Sequence, residues 1–288
     1  MKWTDIPQNP IPYFTFENLS NAGFKVNAFT TKLFHSTDGR TFQPLLRADS
    51  DPSYISFCLS ALLEQFGVSK DHLVPSAQKH STNIHKITSK DITPGHEPAQ
   101  LENIDGLITD VPGVMLQIFG ADCPGVFLAD PVHNAIGLCH SGRKGTQHHI
   151  AAKMLAAMEK EYSTSPSDVL GAISPGICVS CYETGDDVAS DFMTSYLSAA
   201  SGTNVTKTAD ADLLKKGISL KILQFINGRY HIDLPLAISM SLKNAGVDQA
   251  NIETAGICTK CRSDIFYSFR AEGRISNENC ALFMIKPD

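Results

Sequence analysis

No run of eighteen apolar residues occurs in the chain, so nothing in it reads as a membrane-spanning helix and no membrane partner is expected. The start, Met1 to Pro10, has neither the basic opening nor the unbroken apolar stretch of a secretory signal. A cytoplasmic location is expected. A basic surplus is also missing: 24 Lys and Arg stand against 30 Asp and Glu, a net charge of -6. Bulk electrostatics therefore gives a phosphate backbone little to bind, and nucleic acid is not an expected partner. Repeats at periods of about 20 to 50 residues are absent, and no Gly/Ser or Pro-rich linker divides the chain.

What remains is a globular composition. With 288 residues, 42% hydrophobic and 19% charged, residues 1–288 read as one domain with its own core. Eight cysteines stand at positions 58, 123, 139, 178, 181, 258, 261 and 280. A chain this long buries a core without staples, so reduced thiols are expected.

Periodicity places several elements. Ile55, Leu59, Leu62, Leu63 and Phe66 recur at helical spacing over 52–66, with Gly67 to close the helix. Residues 146–162 read as a helix through Ile150, Met154, Leu155, Met158 and Tyr162, and 234–244 as another, stopped by Gly246. Strand-length apolar runs cover 114–119, 126–129 and 135–139, the last two joined by a polar connection of hairpin length containing Pro131. The loosest stretch, 89–102, carries Pro94, Gly95 and Pro98 and suits a surface loop. Strands in the middle with helices before and after predict an α+β fold of mixed layers.

If the hairpin turns near Val132, position 124 lies opposite position 140. Cys123 and His140 then converge at its open end, with facing Cβ atoms roughly 5 Å apart, close enough for one metal ion or a direct Cys–His contact. Ser141-Gly142-Arg143-Lys144-Gly145 follows, leading into the predicted helix. A strand, a glycine-rich turn and a helix start favour an anion, although a plain connection is the commoner reading of such a turn.

At these residues a family likeness emerges. Asp105-Gly106-Leu107-Ile108-Thr109-Asp110, Ala121-Asp122-Cys123-Pro124 and Cys139-His140-Ser141-Gly142 resemble blocks of the YfiH-like laccase-domain family, also called polyphenol oxidase proteins and associated with purine nucleoside phosphorylase activity. Further blocks follow in order from Phe29 to Gly273: Phe29-Thr30-Thr31-Lys32, Gln78-Lys79-His80-Ser81, Ser174-Pro175-Gly176-Ile177, Cys181-Tyr182-Glu183-Thr184-Gly185, His231-Ile232-Asp233-Leu234, Cys258-Thr259 and Ser268-Phe269-Arg270.

The resemblance implies a two-sheet core flanked by helices, similar to a toxin deamidase, and a mononuclear zinc site of His80, Cys123 and His140. Three protein ligands with an open fourth position are the pattern of a catalytic zinc. It further implies purine nucleoside and phosphate as small-molecule partners. Cys123, His140 and Arg270 are the expected catalytic residues, and Lys32, Gln78, Lys144 and Arg270 the expected substrate and phosphate contacts. The chain departs from the family's His-Ala-Gly-Trp-Arg-Gly by carrying Arg143 and Lys144, and from Thr-Arg by carrying Lys32. Lysine keeps the charge but lacks arginine's bidentate grip.

Plainer roles suit other residues. His85, His96, His133, His148 and His149 read as surface or hydrogen-bonded, His231 as a brace before a helix, and Cys58 and Cys139 as core. Asp105 and Glu183 are carboxylates suited either to proton transfer or to a turn and a helix start. Arg270, set among Phe266, Tyr267 and Phe269, needs an anion, a salt bridge or a route to solvent.

The resemblance thus implies zinc-dependent phosphorolysis of adenosine or inosine, with deamination of adenosine through a zinc-bound hydroxide as a second activity of the same site, and other functions compete with it. A copper polyphenol oxidase needs many histidines, often in His-x-His pairs, and the chain has none, although copper could occupy the same three ligands in vitro. A metal-free hydrolase or deamidase would use Cys123 as nucleophile and His140 as base. A non-catalytic, zinc-stabilised binding module is a further reading. Cys178/Cys181 and Cys258/Cys261 raise a structural zinc alternative, but the stretch between the pairs far exceeds the roughly 15 to 20 residues of a zinc ribbon. Only Cys181 and Cys258 lie in family blocks.

Overall fold

A computed structural model describes residues 1–5, 9–36, 39–45, 50–96, 101–201, 210–273 and 277–287. Its centre is a pair of sheets. The seven-stranded sheet runs, edge to edge, through Lys2–Thr4, Tyr13–Thr15, Val26–Thr30, Asn279–Met284, Met115–Gly120, Leu73–Ala77 and Leu101–Glu102. The six-stranded sheet runs through Ile252–Thr254, Leu170–Ile173, Gly125–Asp130, Ala135–His140, Gly106–Thr109 and Ile84–Ile87.

Both central strand pairs are buried on each face, which is why they read as unbroken apolar runs rather than alternating ones. Leu116, Ile118 and Phe283 of one sheet meet Phe127, Ile136 and Leu138 of the other in the inner layer. Opposite-facing residues pack outward. Met115, Leu282 and Met284 take the helix Pro52–Phe66 through Tyr54, Cys58 and Leu62. Val126, Leu128, Ala135 and Cys139 take the helices Ile150–Tyr162 and Leu234–Asn244. The predicted mixed α/β layering, with two sheets between helices, is the observed architecture.

A smaller layer lies to one side. The sheet Glu183–Thr184, Arg229–Ile232, Leu223–Ile226 and the helices Asp186–Ser201 and Asp210–Ser219 share a core of Phe192, Met193, Tyr196, Leu213, Leu223 and Ile232.

Local chemistry explains the boundaries. Asp51 accepts a bond from Ser53 N, Pro52 occupies the first turn, and Gly67 takes the left-handed conformation that ends the helix as expected. The helix expected over 146–162 is instead two pieces, Arg143–Gln147 and Ile150–Tyr162. His149 breaks it at φ 56°, held there by ring bonds to Ser241 Oγ and Tyr196 O, both 2.7 Å. Tertiary bonding thus overrides a continuous apolar stripe. In the predicted loop 89–102, Ser89–Asp91 forms a short turn of helix and Leu101–Glu102 a strand, while 97–100 lie outside the described residues.

Candidate metal and substrate site

The site sits where the six-stranded sheet's central hairpin opens. His140 is the last residue of its strand and pairs with Gly125, and Ser141 N bonds Pro124 O at 2.9 Å. The register is one residue from the expected 124–140 pairing, because the connection has an even four residues, Pro131 to Asn134. Convergence survives that offset. Cys123 enters from the preceding loop and His80 from the loop after Leu73–Ala77, and one ligand atom from each of His80, Cys123 and His140 lies within 4.8 Å of the others.

Two buried carboxylates fix this cluster. Asp105 accepts from His140 Nδ1 at 3.0 Å and from the backbone N–H groups of Lys79, His80 and Ser81 at 3.1, 3.1 and 2.8 Å. It thereby holds the His80 loop and turns His140 so that Nε2 is left for a ligand. Burial favours the neutral acid, but the bonds from His140, Ser81 and Lys79 outweigh it and hold Asp105 well below the ordinary carboxylate range. Asp122, next to Cys123, accepts from Thr259 Oγ1 at 2.7 Å, Ser268 Oγ at 2.6 Å and Arg270 N at 2.7 Å. Both ligand loops are bent into positive φ, 59° at His80 and 90° at Asp122.

Cys123 and His140 titrate as a pair. Burial opposes charge on each, yet the opposite charges and shared hydrogen bonds outweigh it, pulling the thiol down and the imidazole up. Gly142 keeps the space before them open: a Cβ there would lie 2.7 Å from Cys123 Sγ, 3.1 Å from His80 Cδ2 and 3.3 Å from His140 Cε1. A ready thiolate, two imidazoles and a cradle kept free of side chains fit a single borderline-soft cation.

A cavity of about 590 Å³ opens in front of the cluster. Phe119, Tyr182 and Phe269 supply aromatic walls, and Gln78, Arg143 and Arg270 polar ones. Gln78 spends both ends of its amide on Phe119, receiving from N at 2.7 Å and donating to O at 2.8 Å, so it braces the wall.

The cations differ from expectation. Lys32 and Lys144 are not among the lining residues. Lys32 lies 6.0 Å over the Tyr267 ring, and Lys144 is exposed on the five-residue helix from which Arg143 reaches the wall. Arg270 lines the cavity without being desolvated: Ser268 caps a short helix that sends Phe266 and Tyr267 into the core and leaves Phe269 and Arg270 exposed. Its guanidinium donates to Glu183 O at 3.1 Å and stacks 5.2 Å from the Tyr182 ring. His231 is the brace expected, bonded to Val179 O at 2.9 Å. The sequence marks Arg143 as one of two adjacent cations beside the glycine-rich turn, but it does not mark Asp122 as a buried acceptor or give Asp105 its partner His140.

Asp105 yields a pH prediction. A carboxyl depressed by folding adds stability that is present above its unfolded value, near 3.9, and is lost as pH falls through the lower folded value. In chelator-treated protein, the urea midpoint gap between wild type and Asp105→Asn should therefore narrow from pH 7 to pH 3. An equal gap at both would remove Asp105's charge from the balance.

Two facing sheets with a Cys–His cluster at their strand ends define an α+β protein with a cavity whose His80, Cys123 and His140 could hold a metal ion. The family described as multi-copper polyphenol oxidoreductase laccase matches residues 42–286. The chain belongs to this YfiH-like laccase-domain family. A protein named purine nucleoside phosphorylase from Bacteroides thetaiotaomicron is 32% identical over 217 residues, 74% of this chain and 73% of that one. One named adenosine deaminase RL5, from an unknown prokaryotic organism, is 29% identical over 216 residues, 74% of each chain. The crystal structure of YlmD from Geobacillus stearothermophilus shares the fold, with a TM-score of 0.80, 23% identity and 99% of each chain covered.

Proposed function

We propose that this chain is a zinc-dependent purine nucleoside phosphorylase. One observation carries the reading: His80, Cys123 and His140 meet at the floor of a cavity whose walls are aromatic rings and whose rim holds Arg143 and Arg270. The names of its relatives support the substrate class. A volume of about 590 Å³ lies within the range of small-molecule sites and suits a nucleoside with phosphate.

Phe119, Tyr182 and Phe269 offer faces for the flat purine. Arg270, fixed through its backbone by Asp122 and through its side chain by Glu183 O, presents guanidinium N–H groups to phosphate, and Arg143, which also pairs with Asp191 at 3.3 Å, stands as a second guanidinium on the wall. A phosphate oxygen forms the new bond to the ribose C1′ while the bond from C1′ to the purine nitrogen breaks with its electron pair passing to the purine, which takes a proton from solvent as it leaves. The arginines counter the negative charge of the phosphate through that exchange. When bound, zinc would supply Lewis-acid polarisation or acidify water. His80, Cys123 and His140 would hold it, with Asp105 orienting His140.

A phenol-oxidising copper centre fits less well. Such oxidases gather many histidines, often in His-x-His pairs, whereas the sequence holds no His-x-His and the histidines described along the cavity are His80 and His140.

Arg270→Ala should lower kcat/KM for phosphate about 10- to 100-fold, the worth of a lost charged hydrogen bond, with KM for inosine within about 3-fold. Release of ribose 1-phosphate at varied phosphate measures it. Wild-type turnover indifferent to phosphate, with ammonia released from adenosine, would replace phosphorolysis by deamination.

A further inference from the structure

Outside the cavity, the fold gathers four more thiols. Cys178 and Cys181 flank a tight turn, with Cys181 N bonding Cys178 O at 3.0 Å, and Cys258 and Cys261 flank another. Far apart in sequence, the turns are stitched side by side through Gly176, whose N bonds Ile257 O at 3.2 Å and whose O accepts from Thr259 N at 3.1 Å. The four sulfurs all lie within 4.8 Å of one another, with Cys181 and Cys261 at 3.5 Å.

We propose that Cys178, Cys181, Cys258 and Cys261 form a second, structural zinc site. Sulfurs placed about 2.3 Å from a tetrahedral zinc stand about 3.8 Å apart, within the 4.8 Å bound here and near the 3.5 Å between Cys181 and Cys261. Two backbone N–H groups already aim at one sulfur, Cys178 N and Cys261 N to Cys258 Sγ at 3.3 and 3.5 Å, an arrangement that favours thiolate there. All four cysteines are free, and the Cys181 and Cys261 sulfurs, at 3.5 Å, stand well beyond the S–S bond of about 2.05 Å. Four thiols on paired Cys-x-x-Cys turns match a closed tetrahedral sulfur site. On binding, each thiol releases its proton to solvent and forms a bond to zinc, with no change of oxidation state.

The place of the clasp gives it a purpose. Tyr182 follows Cys181 and walls the cavity, while Thr259 follows Cys258 and bonds Asp122 beside Cys123. Zinc at the four thiols would lock two segments that shape the first site without contacting substrate.

Metal analysis of full-length protein purified under reducing conditions without added metal tests this separately from the phosphorylase reading. Two zinc ions per chain are expected in wild type and one in Cys178→Ser/Cys261→Ser. Cys123→Ala should keep one, and cobalt(II) added to that variant after zinc removal should give the intense charge-transfer band of a four-thiolate site. Undiminished zinc in the double variant, iron in place of zinc, or a Cys181–Cys261 disulfide in metal-free protein would each overturn the proposal. Loss of the Cys123-dependent metal alone would not touch it. If the double variant fails to fold, the cobalt band in Cys123→Ala decides: four-thiolate intensity supports the site, and its absence ends it.

Discussion

Cys123→Ala should yield a folded protein that has lost one zinc ion per chain and at least about 10³-fold of its turnover of inosine with phosphate, because metal ions supply several kcal/mol of transition-state stabilisation. The fold should persist because the cluster lies at an open strand end, while the cores that hold the sheets together lie in the layers between and outside them. Catalytic sites with an open position contribute less to folding than closed ones. His140→Ala should lose the metal too, and it also strands Asp105 without the imidazole it accepts from. Circular dichroism, metal content and ribose 1-phosphate release together read the outcome. Full zinc in Cys123→Ala would remove the thiolate from the ligand set; zinc lost with turnover intact would separate the metal from the chemistry.

The layers were legible in sequence because burial dictates them. Strands packed on both faces read as short apolar runs, and the helix over 52–66 announced itself with its stripe and Gly67, while the Asp51 cap appears only in the structure. The convergence of Cys123 and His140 was legible for a geometric reason, since a hairpin forces its ends together even when the register is off by one. His80 was not reachable that way. It lies on a parallel strand's exit, and only the family likeness brought it in.

What stayed hidden depends on side chains meeting across long separations. Arg143 and Lys144 are neighbours in sequence, yet they lie on a short helix, before the break at His149, from which Arg143 reaches the cavity while Lys144 is exposed. No local pattern encodes a break imposed by Ser241 and Tyr196. The paired Cys-x-x-Cys turns share this property: spacing argued against a joint site, while the Gly176 bridge brings them together.

Asp122 joins these parts, and its removal should be the most destabilising single change at the site. The carboxylate is buried and accepts from Thr259, Ser268 and Arg270, which lie close together in one stretch 137 to 148 positions along the chain from it. Asp122→Ala strands three donors, each costing about 1 to 3 kcal/mol when no water replaces the partner. The alanine must also adopt φ near 90°, a conformation costing about 1 kcal/mol or more for a side chain with no local hydrogen bond. Water reaching the cavity edge offsets part of this, so a loss of about 3 to 5 kcal/mol is expected from urea unfolding at pH 7. Asp122→Asn keeps one carbonyl acceptor but turns an amide toward a donor, and should fall between. The two variants should also weaken zinc binding at the neighbouring Cys123 in the same order, since the loop that carries the thiolate loses its anchor. A loss below about 1 kcal/mol in Asp122→Ala would mean that Thr259, Ser268 and the Arg270 N–H find other partners, and the carboxylate would then not be what holds the cavity wall to the ligand loop.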